Sequence, residues 1–278
     1  MTRVAAVLVT SNSARWLEQT LEGVAAQSRP ADEIVIVDDA STDDTHAIIT
    51  RVLGARARVV QSRVEAADRT TRIAANFRQA LQETRDCDVT VLGDHDDVWL
   101  PDRIAHKVDL LQTWPKVELI ASDGRLIDEE GDAIPGSLRT AFPVPADFND
   151  LSPALQLRAT LRRSVATGGA SAVRPSAFAN VDIPNGWLHD RWWSLVAAAR
   201  ETLRIDADAV IDYRVSSGQE VGLSRGRQDH AAVNRLRGAL ASAGTTMSRV
   251  RDVQGLKRYA TPATAPELST VRLLRTLA

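Results

Sequence analysis

The chain has 278 residues, 44% of them apolar and 25% charged, with a net charge of −2. That length can bury a substantial core, and the composition is that of an ordinary globular protein, not of a disordered or fibrous one. A single cysteine, Cys87, excludes an internal disulfide framework and a cysteine-rich metal centre and fits a reducing, cytoplasmic setting.

The charge is unevenly spread. Residues 223–278 hold ten Lys/Arg against three Asp/Glu, which leaves 24 basic and 33 acidic residues in the rest. Such a basic tail suits peripheral contact with an anionic membrane face; the plain alternative is a solvated helical face. No apolar run approaches the ~20 residues of a membrane span, and the first residues lack the layout of a signal peptide. Nothing in the charge balance calls for a nucleic-acid partner.

Val4 to Val9 reads as a buried strand: short, β-branched and without alternation. Thr10-Ser11-Asn12 ends it. A helix follows, with Trp16, Leu17, Leu21 and Val24 at helical spacing, and Arg29-Pro30 breaks it. Glu33 to Val37 is a second strand, ending in the acidic run Asp38-Asp39-Ala40-Ser41-Thr42-Asp43. Ser41 or Thr42 can cap the next helix, over about 43–53. Arg58 to Gln61 is a short third strand, and Arg69 to Thr84 a helix with Ile73, Phe77 and Leu81 on one face. Cys87 to Leu92 is a fourth strand. It leads into Gly93-Asp94-His95-Asp96-Asp97-Val98-Trp99 and a helix opening near Pro101. Val117 to Ala121 is a fifth strand.

This alternation predicts an α/β fold with a mainly parallel central sheet and helices on both faces. Beyond Asp123 the pattern changes. Asp128 to Gly131 reads as a hairpin turn, 135–153 as loop-rich, 152–163 as a helix, and Thr167-Gly168-Gly169 as a small-residue loop where backbone can approach a ligand. A helix opens near His189-Asp190 and runs to about Ala199; Asp206 to Tyr213 is a strand. The sequence thus divides into 1–124, 125–225 within the same compact unit, and a basic, mainly helical tail over 226–278.

Ligands in such sheets bind beyond the carboxyl ends of the strands, where Thr10, Asp38, Asp39, Asp94, Asp96 and Asp97 all fall. Clustered carboxylates repel unless something positive lies between them, and hard divalent cations take oxygen ligands. The cluster therefore reads as a metal–diphosphate site, with a solvated acidic turn as the plain alternative. No Gly-x-Gly-x-x-Gly or Gly-x4-Gly-Lys-Ser/Thr loop follows the first strand, so neither a dinucleotide fold nor a P-loop enzyme is supported. A receiver-like domain would need a late strand-end lysine, and Lys107, Lys116 and Lys257 are not placed for it.

Five motifs in order, Thr10-Ser11-Asn12, Val37-Asp38-Asp39-Ala40-Ser41-Thr42-Asp43, Asp94-His95-Asp96-Asp97-Val98-Trp99, Thr167-Gly168-Gly169 and His189-Asp190, resemble the family 2 glycosyltransferases, inverting enzymes of the GT-A (nucleotide-diphospho-sugar transferase) fold. The resemblance spans about residues 1–225. It implies a donor-binding half over 1–124 and an acceptor-binding, catalytic half over 125–225. The donor it implies is a UDP-, dTDP- or GDP-sugar, the acceptor a saccharide or glycolipid, and the cofactor Mn²⁺ or Mg²⁺. By the same resemblance Thr10, Asp38, Asp39, Arg72 and Asp94 belong to the donor site, Asp96 holds the metal, Asp97 orients the loop, and Asp190 is the base. Gly168, Gly169, Trp187 and His189 fall on the acceptor side.

Each role has a plainer counterpart: a helix-surface arginine at 72, a dipole-favoured carboxylate at 190, ordinary core packing for Trp187, Trp192 and Trp193. Asp-Asp-Val-Trp is similar to bacterial rhamnosyltransferase-like members that build surface polysaccharides, with His95 where Gln is frequent. Relatives often carry a histidine shortly after a Tyr-Arg pair; here Tyr213-Arg214 is followed by Ser216. That departure keeps open a non-catalytic module binding nucleotide or glycan.

Overall fold

The computed structural model describes residues 1–65, 68–216 and 248–277. Its centre is a nine-stranded sheet in the order β3-β2-β1-β4-β8-β6-β9-β5, with β7 paired to β6. The strands are β1 (Val4–Thr10), β2 (Glu33–Asp38), β3 (Ala57–Gln61), β4 (Val89–Gly93), β5 (Val98–Trp99), β6 (Leu119–Ile127), β7 (Ala133–Ser137), β8 (Ser171–Val173) and β9 (Leu203–Arg214). The first four pair in parallel. Further along the sheet is mixed: β8 runs antiparallel to both β4 and β6, while β6 and β9 are parallel.

The helices are α1 (Leu17–Ala25), α2 (Thr45–Val52), α3 (Arg69–Glu83), α4 (Arg103–Thr113), α5 (Leu138–Ala141), α6 (Pro153–Arg162), α7 (Pro175–Phe178), α8 (His189–Arg200) and α9 (Thr270–Leu277). Successive strand residues face opposite sides. Val4, Ala6 and Leu8 pack with Leu17, Leu21, Ile48 and Ile104 on one face; Val7 and Val9 pack with Phe77, Leu81, Trp192 and Trp193 on the other. Helices cover both faces, which is why these strands carry unbroken apolar runs.

The register aligns the strand ends that matter. Thr10 lies opposite Asp38 and Leu8 opposite Gly93, so Asp39 and Asp94 leave the sheet along the same edge. Gly93 is needed there: a Cβ would stand 2.6 Å from the Trp99 ring. Trp99 sits on β5, which pairs antiparallel with β9.

Several local expectations shift. Neither Ser41 nor Thr42 caps α2. Ser41 instead turns back on Asp38, made possible by Ala40 in the left-handed region at φ 54°, and Asp43 receives the Thr45 amide at 3.0 Å. The stretch read as loop-rich, 135–153, holds the end of β7 and all of α5. Position 124 lies within β6, a strand of the shared sheet. Of the predicted tail, residues 226–247 lie outside the described residues. The remainder is packed: Val250, Val253, Leu256, Leu268 and Leu273 are buried against the side of the molecule carrying α6 and α8. Among the described residues no helix is long and apolar enough to cross a membrane.

Candidate active site

At the carboxyl edge of the sheet lies a cavity of about 500 Å³. Thr10, Asp39, Arg72, Asp94, Asp96, Gly168, His189 and Asp190 line it, as do Ser216 and His95. Thr10 and Ser216, 206 positions apart in the chain, thus share one wall system. Asp38, Gly169 and Trp187 are not among the lining residues.

The β1 and β2 ends build one side. Asp38 is fully buried and accepts hydrogen bonds from Thr10 Oγ1 (2.8 Å), Ser41 Oγ (2.6 Å) and the Ser41 amide (3.0 Å), with His46 Nε2 at 3.1 Å. Burial alone would raise its carboxyl, but the bonds from Ser41, Thr10 and His46 outweigh this and hold it below the usual range. Its oxygens are committed to the loop, so Asp38 shapes the turn that presents Asp39. Asp39 faces the cavity and pairs with Arg72 Nε of α3 at 3.1 Å.

The floor is the acidic motif after β4. Asp94 Oδ2 accepts the Gly169 amide at 3.0 Å. Burial first, then the charges of Asp96 and Asp190, push its carboxyl up to about 7. Asp97 is fully buried. Its Oδ1 accepts the Arg214 amide at 3.1 Å, while Oδ2 has no hydrogen-bond partner. Burial and then Asp96 and Asp94 raise it well above the usual range. Gly169 has to be glycine because a Cβ would lie 2.4 Å from Asp97 Oδ2 and 2.8 Å from Asp94 Oδ2. Asp96 lines the cavity, and its carbonyl accepts Arg214 Nε at 3.0 Å.

The far wall is the start of α8. Asp190 Oδ2 accepts the Gly168 amide at 3.1 Å and Oδ1 the Arg191 amide at 2.6 Å. Burial pushes its carboxyl up to about 6 despite those bonds. His189 stacks on Phe77 at 3.7 Å, and burial drives its imidazole down to about 3, so it is neutral. Neither ring nitrogen has a hydrogen-bond partner, and Nε2 points at Gly168, where a Cβ would be 2.6 Å away. Trp187 instead packs edge-on against Trp192 (5.1 Å) and bonds Asp252 of the C-terminal segment at 2.9 Å.

The sequence reading missed Arg15, Trp16, Arg69 and Asn76, which also line the cavity, and Arg103. The last is fully buried, donates to the Leu92 carbonyl and lies 3.9 Å over the Trp99 ring, where its charge attracts Asp97 and Asp94. A basic residue on the first turn after an acidic motif was the available signal. Among the described residues, His106, Asp206 and Asp208 form a further group of metal-type side chains. None of them lines the cavity, and His106 Nε2 already bonds Asp206 at 2.8 Å.

The carboxylate set suits a divalent cation. Four carboxylates, Asp39, Asp94, Asp96 and Asp190, face one cavity, and a fifth, the buried Asp97, leaves an oxygen unpartnered. Such a cluster gains from a positive ion placed among its oxygens.

Comparison with known proteins agrees with this architecture. The chain is 30% identical over 112 residues to an uncharacterized glycosyltransferase of Nostoc sp., an alignment covering 40% of this chain and 33% of that protein, so the chain matches about a third of its length. It superposes on S. aureus TarS 1-349, crystallised with UDP-GlcNAc, with a TM-score of 0.62 at 15% identity, covering 100% of this chain and 71% of that one. It also superposes on glucosyl-3-phosphoglycerate synthase from Mycobacterium tuberculosis, crystallised with Mn²⁺, UDP and glucosyl-3-phosphoglycerate, with a TM-score of 0.51 at 16% identity, covering 77% and 72%. These likenesses show the shared GT-A fold. With the model of glycosyl transferase family 2 matching residues 5–179, over an acid-lined cavity at the carboxyl ends of β1, β2 and β4, the chain belongs to that family.

Proposed function

We propose that the chain transfers a sugar from a nucleoside-diphosphate donor to a hydroxyl acceptor, with inversion at the anomeric carbon. The observation that carries this reading is the convergence of Asp39, Asp94, Asp96 and Asp190 from three distant segments on one cavity. The donor's nucleoside lies along Thr10, Asp39 and Arg72, with Asp38 holding the Asp39 loop and Asp94 toward the ribose. Asp96 would hold the divalent cation, which when bound neutralises charge developing on the departing diphosphate. The neighbours crystallised with UDP-GlcNAc and with Mn²⁺ and UDP favour a UDP-sugar and Mn²⁺ as the first pair to try.

Asp190 takes the proton of the incoming hydroxyl. A carboxyl near 6 is ionised at neutral pH yet basic enough to serve, and such a base contributes about 10²–10⁴-fold. With Asp190 acting as the base on the acceptor side and no covalent intermediate, the reaction is a single displacement; the reacting sugar shares the oxocarbenium character of glycoside hydrolysis. The Gly168-Gly169 loop and the neutral His189 behind it shape the acceptor side. The acceptor is a saccharide or glycolipid hydroxyl.

The test is release of nucleoside diphosphate from UDP-, dTDP- and GDP-sugars with Mn²⁺, with and without candidate glycans. Asp96→Ala and Asp190→Asn are expected to lose turnover while keeping cooperative unfolding. Near-wild-type rates in either variant would remove that residue from its role. Nucleotide binding with no release from any donor would favour a non-catalytic binding module, the reading that Ser216 in the cavity wall keeps open.

A further inference from the structure

Helix α6 ends without chain continuing in helical form. The last four carbonyls of any helix lack intrahelical partners. Here Arg191, the third residue of α8, reaches across to them. Its guanidinium donates to the Leu161 carbonyl at 2.7 Å and to the carbonyls of Thr160 and Arg163. A planar cation with several donors suits a helix carboxyl terminus both by geometry and by the dipole.

Beyond Arg163 the chain becomes the cavity wall: Ser164, Ala166, Thr167 and Gly168 all line it. The Gly168 amide then donates to Asp190 Oδ2 at 3.1 Å, and Asp190 Oδ1 accepts the amide of Arg191 itself at 2.6 Å. These contacts close a ring: Arg191 side chain, end of α6, loop 164–168, Asp190, Arg191 backbone. Among the described residues the N-cap of α8, Leu188, makes no side-chain capping hydrogen bond.

We infer that Arg191 is a positioning residue for the Asp190 carboxylate, acting through the carbonyls that end α6 and the loop that carries Gly168. The inference rests on Asp190 as the base. It assigns to a residue outside the acidic motifs the task of keeping that base and its Gly168 partner in register. A displacement of about 1 Å at a reacting group can cost about 10²-fold in rate, which sets the expected size of the effect.

Amide hydrogen exchange at Gly168, followed by NMR on the full chain, reads the ring directly and needs no donor. In Arg191→Gln, Gly168 exchange is expected to be at least about tenfold faster. Turnover of the active nucleotide sugar is expected to fall about 10²-fold, through kcat, with the donor KM unchanged. Arg191→Lys keeps a charge that can reach part of the carbonyl set, so both readouts should lie between wild type and Gln; this variant also serves if the Gln variant does not fold. Wild-type Gly168 exchange in either folded variant, or an effect confined to donor KM, overturns the inference. Asp190→Asn separates the two readings: if it stays active the base assignment fails, whereas an inactive Asp190→Asn beside a fully active Arg191→Gln defeats the positioning role alone.

Discussion

Burial and hydrogen bonding pull the Asp190 carboxyl in opposite directions, and burial wins, leaving it near 6. A base works only when deprotonated. The ionised fraction, and with it kcat/KM, is therefore expected to fall about tenfold per pH unit below about 6. A pH–rate profile flat down to pH 5 would contradict the role. At the facing strand end, Gly169 is constrained by atoms and not by backbone angle. The Asp97 oxygen 2.4 Å from its missing Cβ belongs to a fully buried side chain with no room to retreat. Gly169→Ala should lose about 1–3 kcal/mol to overpacking, measured by denaturant unfolding, and should weaken nucleotide binding as Asp94 is displaced. The sequence suggested a glycine loop near a ligand; that the glycine faces the acidic motif came only from the fold.

Helix α4 carries an unusual interior load. Arg103 and Lys107, four residues apart, lie on the same face, and both are fully buried. Arg103 answers the charge of Asp97 and Asp94. Lys107 donates to Ser122, which in turn donates to Asp206. Burial, opposed by Asp206, holds the Lys107 ammonium well below its usual range. Burial makes the folded chain hold this proton less tightly than the unfolded chain does, so Lys107 costs stability, and the cost shrinks as pH rises toward the unfolded lysine value of about 10.4. Lys107→Met leaves the Ser122–Asp206 bond in place and should be neutral to stabilising at pH 7. It should also flatten the rise in Tm as pH climbs toward the unfolded lysine value of about 10.4. A drop of several degrees with the pH slope intact would show that the lysine is charged and paired in the fold.

Across the whole molecule, one sheet carries both halves, and the C-terminal segment is part of the core. Val250, Val253 and Leu256 bury beside Trp187, Trp192 and Trp193, and the Trp187 indole is bonded to Asp252. Trp187→Ala should therefore cost about 3–5 kcal/mol while leaving donor affinity unchanged, by calorimetry on the same sample. Unchanged stability with weakened glycan binding would return Trp187 to the acceptor side. By itself the sequence determined the strand–helix alternation, because strands covered on both faces must be apolar throughout, and the acidic strand ends, because their residues follow those runs directly. The order of its motifs also pointed to Asp190, which lines the cavity. Tertiary structure alone decided which carboxylates face the cavity. Asp38 and Asp39 are neighbours in sequence, yet the left-handed turn at Ala40 folds Ser41 back onto Asp38 and leaves Asp39 to the cavity wall. It likewise packed the described part of the basic tail, residues 248–277, against the core and joined Arg191 to the end of α6, since contacts between residues far apart in the chain leave no periodicity to read.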